Sequence, residues 1–354
     1  MKWATGMILG GLVIAASASA QQPQARHWAI VVHGGAGDIE RTKLGPDGDK
    51  AYRDSLTKVA QAGAAVLDRG GSSIDAVEAA IRVLEDDPHF NAARGAVFTA
   101  DGKTELDAAI MDGATLRAGA VADVTHTRYP ISLARAVMEK TPYVFLVGSG
   151  ADAFSKQAGL EQADPAHFFT ESRWQSLVKQ LQKEGKPIPP RPAGAPQPGE
   201  TVPVAQWEES IDTHSYGTVG VVALDRQGNI AAGTSTGGLQ GKMPGRVGDS
   251  PVIGAGTYAS NRSCAVSGTG VGEYFIRYTV AREICALVQY KGLALQQAAD
   301  EVIHKQLTPI HGDGGVIAIA ADGQLAWSFN TPGMFRAKQV EGGQVEVHIY
   351  NDEP

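Results

Sequence analysis

The period of the apolar positions changes along the chain, and each change marks an element. Trp28 to Val32 is an unbroken apolar run, the pattern of a strand buried on both faces, and it ends in His33-Gly34-Gly35-Ala36-Gly37. Leu56, Val59, Ala60, Gly63, Val66 and Leu67 then recur at helical spacing until Gly70-Gly71 stops the helix. Ser72 and Ser73 offer caps to a second helix with the stripe Ile74, Val77, Ile81 and Leu84. Two short strands are predicted from Gly95 to Ala100 and from Glu105 to Met111, turning through Asp101-Gly102. Helices are predicted over 132–139 and 171–183.

Between Pro187 and Pro203 the periodicity is lost. Seven of these seventeen residues are proline, which removes backbone donors and forbids a regular ladder. The stretch reads as an extended surface linker and an exposed target for cleavage. An apolar strand resumes abruptly at Tyr216-Gly217-Thr218-Val219 and runs to Asp225. Arg226-Gln227-Gly228 turns it into a second strand, Asn229 to Thr236. Pairing Asp225 with Asn229 sets Thr218 across from Thr236, within side-chain contact. Such a pair is also an ordinary sheet contact. Farther on, strands are predicted over 252–258 and 263–267, helices over 273–289 and 295–305, and a last hairpin, Gly315–Ala320 with Gln324–Phe329, turning at Asp322-Gly323. Hairpins interleaved with helix pairs predict an α+β protein whose antiparallel sheets are covered by helices.

Composition narrows the class. With 354 residues and 43% hydrophobic content the chain can bury a substantial core, and a net charge of −7 argues against a nucleic-acid or anionic-membrane binder. Residues 1–20 have the order of a cleavable export signal: Lys2, an apolar stretch from Met7 to Ala16, and the small residues Ala18-Ser19-Ala20 before Gln21. A periplasmic or secreted protein, with no membrane attachment after signal removal, is the expectation; an uncleaved anchor is the alternative. The two cysteines, Cys264 and Cys285, are expected to be small buried side chains, with a disulfide as the other possibility.

Candidate chemistry centres on Thr218. If the Gly217–Thr218 bond were cut, one residue would present a hydroxyl and a free α-amine, a nucleophile carrying its own base. Before the cut, the same hydroxyl could attack the Gly217 carbonyl in an N→O acyl shift, eased by the freedom of glycine. Downstream, Arg246 and Asp249 stand three apart in a glycine-rich loop. They could read the carboxylate and ammonium of an α-amino acid, or form a surface ion pair. Gly268-Thr269-Gly270-Val271-Gly272 offers a hydroxyl and backbone N–H groups for an oxyanion; as a dinucleotide loop it lacks the full fingerprint.

Over residues 28–350 the chain resembles the plant-type asparaginase/isoaspartyl peptidase family of N-terminal-nucleophile hydrolases. The motifs that carry the resemblance are His33-Gly34-Gly35-Ala36-Gly37, Phe90-Asn91-Ala92, Gly217-Thr218-Val219-Gly220, Thr234-Ser235-Thr236-Gly237-Gly238, the run from Pro244 to Ser250, and Gly268-Thr269-Gly270. The resemblance implies a four-layer αββα sandwich, cut by the protein itself into an α subunit, 21–217, and a β subunit, 218–354, that form one globular domain. It implies cleavage of β-aspartyl amides, isoaspartyl dipeptides and L-asparagine, through a covalent β-aspartyl-Thr218 intermediate. Thr236 would assist the nucleophile, Arg246 and Asp249 would clamp the substrate, Thr269 and Gly270 would hold the scissile carbonyl oxygen, and Asn91 would support the site. Gly34 and Gly35 match a glycine stretch lining it.

The resemblance further implies a dimer of α/β heterodimers and no catalytic cofactor. A structural sodium is implied on the carbonyls of the loop Leu84–Arg94. Two departures stand out. Ala93 occupies a position that is usually glycine, which is costly if φ is positive there, and Gly148-Ser149-Gly150 replaces glycine-glutamate-glycine. The related glycosylasparaginases typically carry aspartate before the threonine, so Gly217 favours the isoaspartyl peptidase branch over that alternative. A non-catalytic periplasmic amino-acid binder using Arg246 and Asp249 is the reading from another class.

Overall fold

The structure is a computed structural model that describes Met1 and residues 27–197 and 217–354. Residues 2–20 of the predicted export signal and residues 198–203 of the proline-rich stretch lie outside the described residues. The strands are β1 (Ala29–Gly37), β2 (Leu106–Asp112), β3 (Ala118–Val124), β4 (Phe145–Val147), β5 (Val219–Leu224), β6 (Ile230–Thr236), β7 (Thr257–Ala259), β8 (Cys264–Gly270), β9 (Gly314–Ala320), β10 (Leu325–Phe329), β11 (Gly333–Val340) and β12 (Glu346–Tyr350). They form a sheet of eight in the order β12-β11-β1-β5-β6-β2-β3-β4 and a sheet of four, β10-β9-β8-β7. Among the strands of the described residues, only β3 and β4 pair in parallel.

The period-2 alternation sorts side chains between the layers. Ile30 and Val32 of β1, Val221 of β5 and Ile110 of β2 pack with Leu56, Val77 and Ile81 from α1 (Arg41–Asp68) and α2 (Ser73–Asp86). Val31, Val222 and Ala232, one residue out of phase, meet Ala265, Ile317 and Ile319 of the smaller sheet. On that sheet's far face Val266, Val316 and Ala318 pack under Ile284 and Ala298 of helices defined below. The mixed α+β architecture with two face-to-face sheets is thus built from strands apolar on both faces. Helices α3 (Pro130–Lys140), α4 (Gly148–Gln157) and α5 (Glu171–Lys183) complete the first half.

The predicted hairpin is present in the predicted register. Val219 opposes Ser235 and Leu224 opposes Ile230. The Asp225 N–H donates to the Asn229 carbonyl at 3.0 Å, and Gly228 turns with φ 83°. The Asp225 carboxylate accepts from the Gln227 and Asn229 amides on one oxygen and from the Ser73 amide on the other, pinning the turn to the start of α2. Ser72 caps that helix by accepting from the Asp75 N–H.

Several expectations are corrected. Residues 95–100 are not a strand: the Gly102 turn exists, but Phe98 and Ala100 bond to the backbone at Gly241 and Lys242, and β2 pairs instead with β3 and β6. The predicted helix over 273–289 is two, α6 (Gly272–Tyr278) and α7 (Val280–Lys291), broken at Thr279 with φ 46°. Its successor, α8 (Leu295–Asp300), passes into a wider-pitched turn over Glu301–Leu307. The described part of the proline-rich stretch is irregular yet anchored, because Arg191 makes a two-pronged bond to Glu171 of α5. The cysteines are not separate buried thiols: Cys264 of β8 and Cys285 of α7 are disulfide-bonded, tying a helix to its sheet. Among the described residues no helix is long and apolar enough to cross a membrane.

Candidate active site

The inner face of the larger sheet turns polar at one end. Thr218, 8% exposed, stands immediately before β5, and continuing the β5–β6 register by one pair brings it opposite Thr236. Its hydroxyl donates to the Thr236 hydroxyl at 3.0 Å, and Thr236 also accepts from the Gly238 N–H at 3.0 Å. One strand farther, Asp107 of β2 opposes Thr236. Thr218, Thr236 and Asp107 therefore form a row across three neighbouring strands.

A second row lies one step deeper. His33 of β1 opposes Gly220, and Gly220 opposes Thr234. A side chain at Gly220 would collide with the His33 ring and the Ser267 hydroxyl, so glycine is what lets the ring reach across the sheets. The His33 Nε2 and Ser267 Oγ are 2.9 Å apart. Ser267 continues to Thr234 at 2.7 Å, and Thr257 donates to Thr234 at 2.6 Å. Burial drives the His33 pKa down to about 3, against a smaller upward pull from the Thr218 backbone. The ring is neutral at working pH, and this chain of hydroxyls makes a fully buried floor beneath Thr218.

Asn91 braces the mouth. Its Nδ2 donates to the Gly238 carbonyl at 2.8 Å, its Oδ1 accepts from Val97, and its backbone carbonyl accepts from Gly237. Gly217 lies against it: a Cβ there would fall 2.7 Å from the Asn91 Cβ. On the outer face Ser235 donates to Glu85 Oε1 at 2.7 Å, and burial raises the Glu85 pKa to about 8, so this carboxyl is protonated at neutral pH. Gly34 lets Phe90 pack onto the β1 backbone, and Gly35 takes a φ of 108° at the bulge between His33 and Ala36.

The predicted substrate clamp comes together in part. Arg246 and Asp249 do not pair with each other. The Arg246 guanidinium makes two 3.0 Å bonds to Glu273 in the first turn of α6. A Cβ on Gly272 would lie 2.9 Å from both Arg246 Nη2 and Asp249 Oδ1, so the two ends converge where glycine leaves room. Asp249 is 4% exposed, its Oδ2 has no hydrogen-bond partner, and burial raises its pKa to about 7. Arg246 retains donors beyond those used by Glu273.

Thr269 and Gly270 belong to β8 rather than to a loop of exposed amides. The Gly268 N–H donates to Gly256 and the Val271 N–H to Asp313, so these two backbone donors are already engaged. By strand alternation Thr269 faces the larger sheet as Ser267 does, two residues nearer the Thr218 end. In the loop Leu84–Arg94, Ala93 takes φ 43°, the strained conformation anticipated. The Leu84, Glu85 and Asp87 carbonyls accept local amides, while the Pro88 and Phe90 carbonyls converge on Gly95, at 2.5 and 2.7 Å from where its Cβ would be. Carbonyl oxygens are the hard donors an alkali cation takes, and those of Pro88 and Phe90 are the loop's candidates for such an ion.

The set can deliver a hydroxyl nucleophile, a hydrogen-bonded partner, and separate anion- and cation-reading groups. Asp107, Ser267 and Glu85 join this set without any mark in the sequence motifs, and His33 enters those motifs only beside its glycines. Comparison with known proteins agrees in kind. The asparaginase family model matches residues 26–349. The chain is 45% identical over 323 residues to the isoaspartyl peptidase of Escherichia coli (strain K12), covering 91% of this chain and 96% of that protein. It is 44% identical to the probable isoaspartyl peptidase/L-asparaginase 2 of Arabidopsis thaliana, over 91% of this chain and 99% of that one. To the plant-type L-asparaginase of Pyrococcus abyssi (strain GE5 / Orsay) it is 42% identical, over 89% and 97%. Fold, site geometry and sequence converge on one assignment: the chain belongs to the asparaginase family that includes the isoaspartyl peptidases.

Proposed function

We propose that the protein is an isoaspartyl peptidase/L-asparaginase that makes its nucleophile by cutting its own chain at Gly217–Thr218. The observation that carries this is the Thr218–Thr236 hydroxyl pair, 3.0 Å apart at the buried head of β5. Cleavage frees the Thr218 α-amine, whose pKa of about 7.7–8.0 in model compounds suits a base at neutral pH. The hydroxyl then attacks the side-chain amide carbonyl of a β-aspartyl substrate. The amine takes the hydroxyl proton and passes it to the departing nitrogen, and water hydrolyses the ester on Thr218.

Arg246 binds the substrate α-carboxylate and Asp249 the α-ammonium, both placed beside Gly272. Thr269 with Gly270 holds the carbonyl oxygen, where losing one donor costs about 3 kcal/mol of barrier. Asn91 keeps the nucleophile's backbone in place. The fold is the αββα sandwich of self-cleaving hydrolases, assembled as a dimer of α/β heterodimers, with carbonyls of the 84–94 loop holding a structural sodium. Export is supported by the Cys264–Cys285 bond, which persists in an oxidising compartment.

A denaturing gel with intact-mass measurement tests the proposal. Active enzyme should show fragments of 197 and 137 residues, and Thr218→Ala should leave the chain whole. Uncut active enzyme refutes self-cleavage. Failure to hydrolyse either an isoaspartyl dipeptide or L-asparagine, with turnover of a glycosylated asparagine instead, refutes the substrate assignment.

A further inference from the structure

Self-cleavage poses a chemical problem that the mature mechanism does not answer. While Thr218 nitrogen is locked in the peptide bond it cannot serve as a base, so another group must take the hydroxyl proton. His33 is a poor base: burial holds its pKa at about 3, its Nε2 is taken by Ser267, and although its Nδ1 has no hydrogen-bond partner, it is the Thr218 backbone that acts on the ring. Glu85 sits on the opposite face of the sheet and is protonated.

Asp107 is the remaining acid in line. It opposes Thr236 in the β2–β6 ladder, as Thr236 opposes Thr218. Side chains opposed across an antiparallel pair leave the same face with Cβ atoms about 5 Å apart. One carboxylate oxygen accepts the Asp123 N–H at 3.0 Å; the other, Oδ2, is buried without a hydrogen-bond partner. Thr236 in turn already accepts two hydrogen bonds, from Thr218 and Gly238, so its own proton must be directed elsewhere. The backbone is shaped to hold this carboxylate. The β2–β3 register slips opposite Asp107: Leu106 pairs with Val124 and Ala108 with Val121, so the extra residue bulges from β3, where Asp123 takes φ 54° and donates its amide to the carboxylate.

We propose that Asp107 is the positioning residue of self-cleavage, accepting through the Thr236 hydroxyl the proton that Thr218 releases as it attacks Gly217. This inference rests on the self-cleavage proposed above. The Thr218 oxygen bonds to the Gly217 carbonyl carbon while its proton moves to Thr236, and Thr236 passes its own to Asp107. Collapse breaks the Gly217–Thr218 C–N bond, and the same path returns the proton to the departing Thr218 nitrogen. Water then splits the ester into a Gly217 carboxylate and a free Thr218 hydroxyl and amine. This transfer requires a bridging water or a rotamer change between Thr236 and Asp107. Once the amine is free it takes over, and Asp107 is left to orient Thr236.

The charges around Asp107 set its pH range. Lys242 and Arg246 favour its ionised form, Glu105 opposes it, and Asp123 and Asp249 are the other acids nearby. Burial outweighs the cations and holds its pKa at about 6.

The test follows newly synthesised full-length precursor by gel over time from acid to neutral pH. The wild-type cleavage rate should fall about tenfold per pH unit below about 6. Asp107→Asn should cleave on the order of 10²-fold more slowly at neutral pH and lose that acid limb, and Asp107→Glu should recover part of both. Because Asp249 titrates near by, Asp249→Asn precursor is the control and should keep the limb. Chains of Asp107→Asn that are eventually cut should lose less in turnover than they lost in cleavage rate. Cleavage of Asp107→Asn at the wild-type rate and pH profile overturns the proposal. So does normal cleavage with a raised KM for substrate, which would place Asp107 on the substrate ammonium. If Asp107→Asn fails to fold, the wild-type profile decides, and the absence of an acid limb overturns it. A wild-type chain that is never cut refutes self-cleavage itself.

Discussion

Replacing Gly217 with alanine tests how tightly the scissile bond is held. A Cβ at 217 falls 2.7 Å from the Asn91 Cβ, about 0.7 Å inside the 3.4 Å at which ordinary contact begins. Asn91 cannot retreat cheaply, because its amide and carbonyl are bonded to Gly238, Val97 and Gly237. The displacement therefore falls on residue 217, whose carbonyl carbon is the atom Thr218 would attack in the proposed self-cleavage. A misplacement of about 1 Å costs about 10²-fold in an oriented reaction, so 0.7 Å corresponds to a slowing between roughly 10- and 10²-fold, or about 1.4–2.7 kcal/mol. Pulse-labelled Gly217→Ala precursor, sampled over time on a denaturing gel, should lose its 334-residue band that much more slowly than wild type. After the cut, residue 217 is a chain end no longer joined to the nucleophile, so activity per cut chain should fall far less than the cleavage rate. Cleavage as fast as wild type would refute the idea that the close approach of Gly217 to Asn91 positions the bond.

Three further outcomes follow from the buried ionisable groups and the disulfide. Asp249 must be charged to hold an ammonium, and burial raises its pKa to about 7, so kcat/KM should fall as pH drops through that value; Asp249→Asn should weaken substrate binding at every pH, and an unaltered acid limb would refute the role. Glu85 gives up its proton near 4.5 when unfolded but only near 8 when folded, so between these values the folded state holds the extra proton and stability falls as pH rises. Glu85→Gln should flatten that fall in urea titrations across the window; a slope like wild type would show that Glu85 does not cause it. Breaking Cys264–Cys285, which closes a separation of 21 residues, should cost about 3 kcal/mol and lower Tm by several degrees, read by thermal melts of the double serine variant; an unchanged Tm would refute a stabilising role.

What was legible in the sequence was mostly local. The β5–β6 hairpin could be registered because a three-residue turn fixes every pair beyond it, and this placed Thr236 opposite Thr218. Asp107 could not be found that way: its partner Thr236 lies 129 residues farther along the chain, and no local signal marks the pairing. Strand β3 was missed because Ala118-Gly119-Ala120 has little strand propensity, although Gly119 is what lets α3 pack against it: a Cβ there would overlap the Ala134 carbonyl. The run over 95–100 has strand composition but bonds to the loop at 241–242, a tertiary choice that propensity does not encode. Arg246 and Asp249 were recognisable as a pair of charges, yet Glu273, which occupies the guanidinium, belongs to the next helix and was invisible at that spacing.

The arrangement of hydroxyls explains why the site sits where it does. Between the sheets the inner face is apolar over most of its extent, with Val31, Val222, Ile317 and Ile319 in one cluster. Toward the Thr218 end it gives way to His33, Thr234, Ser267 and Thr257, all buried and bonded to one another. A buried hydroxyl left unpaired costs about 1–3 kcal/mol, so Thr234, Ser267 and Thr257 are held to their mutual bonds, which leaves them little freedom to move. Just above the floor the pairing is left incomplete: Asp107 Oδ2 and Asp249 Oδ2 are buried acceptors without partners. In the proposed chemistry each would take up a group, a proton from Thr236 in one case and a substrate ammonium in the other. A layer of paired hydroxyls thus supports a layer with unfilled acceptors, the division expected where stability is given up locally for function.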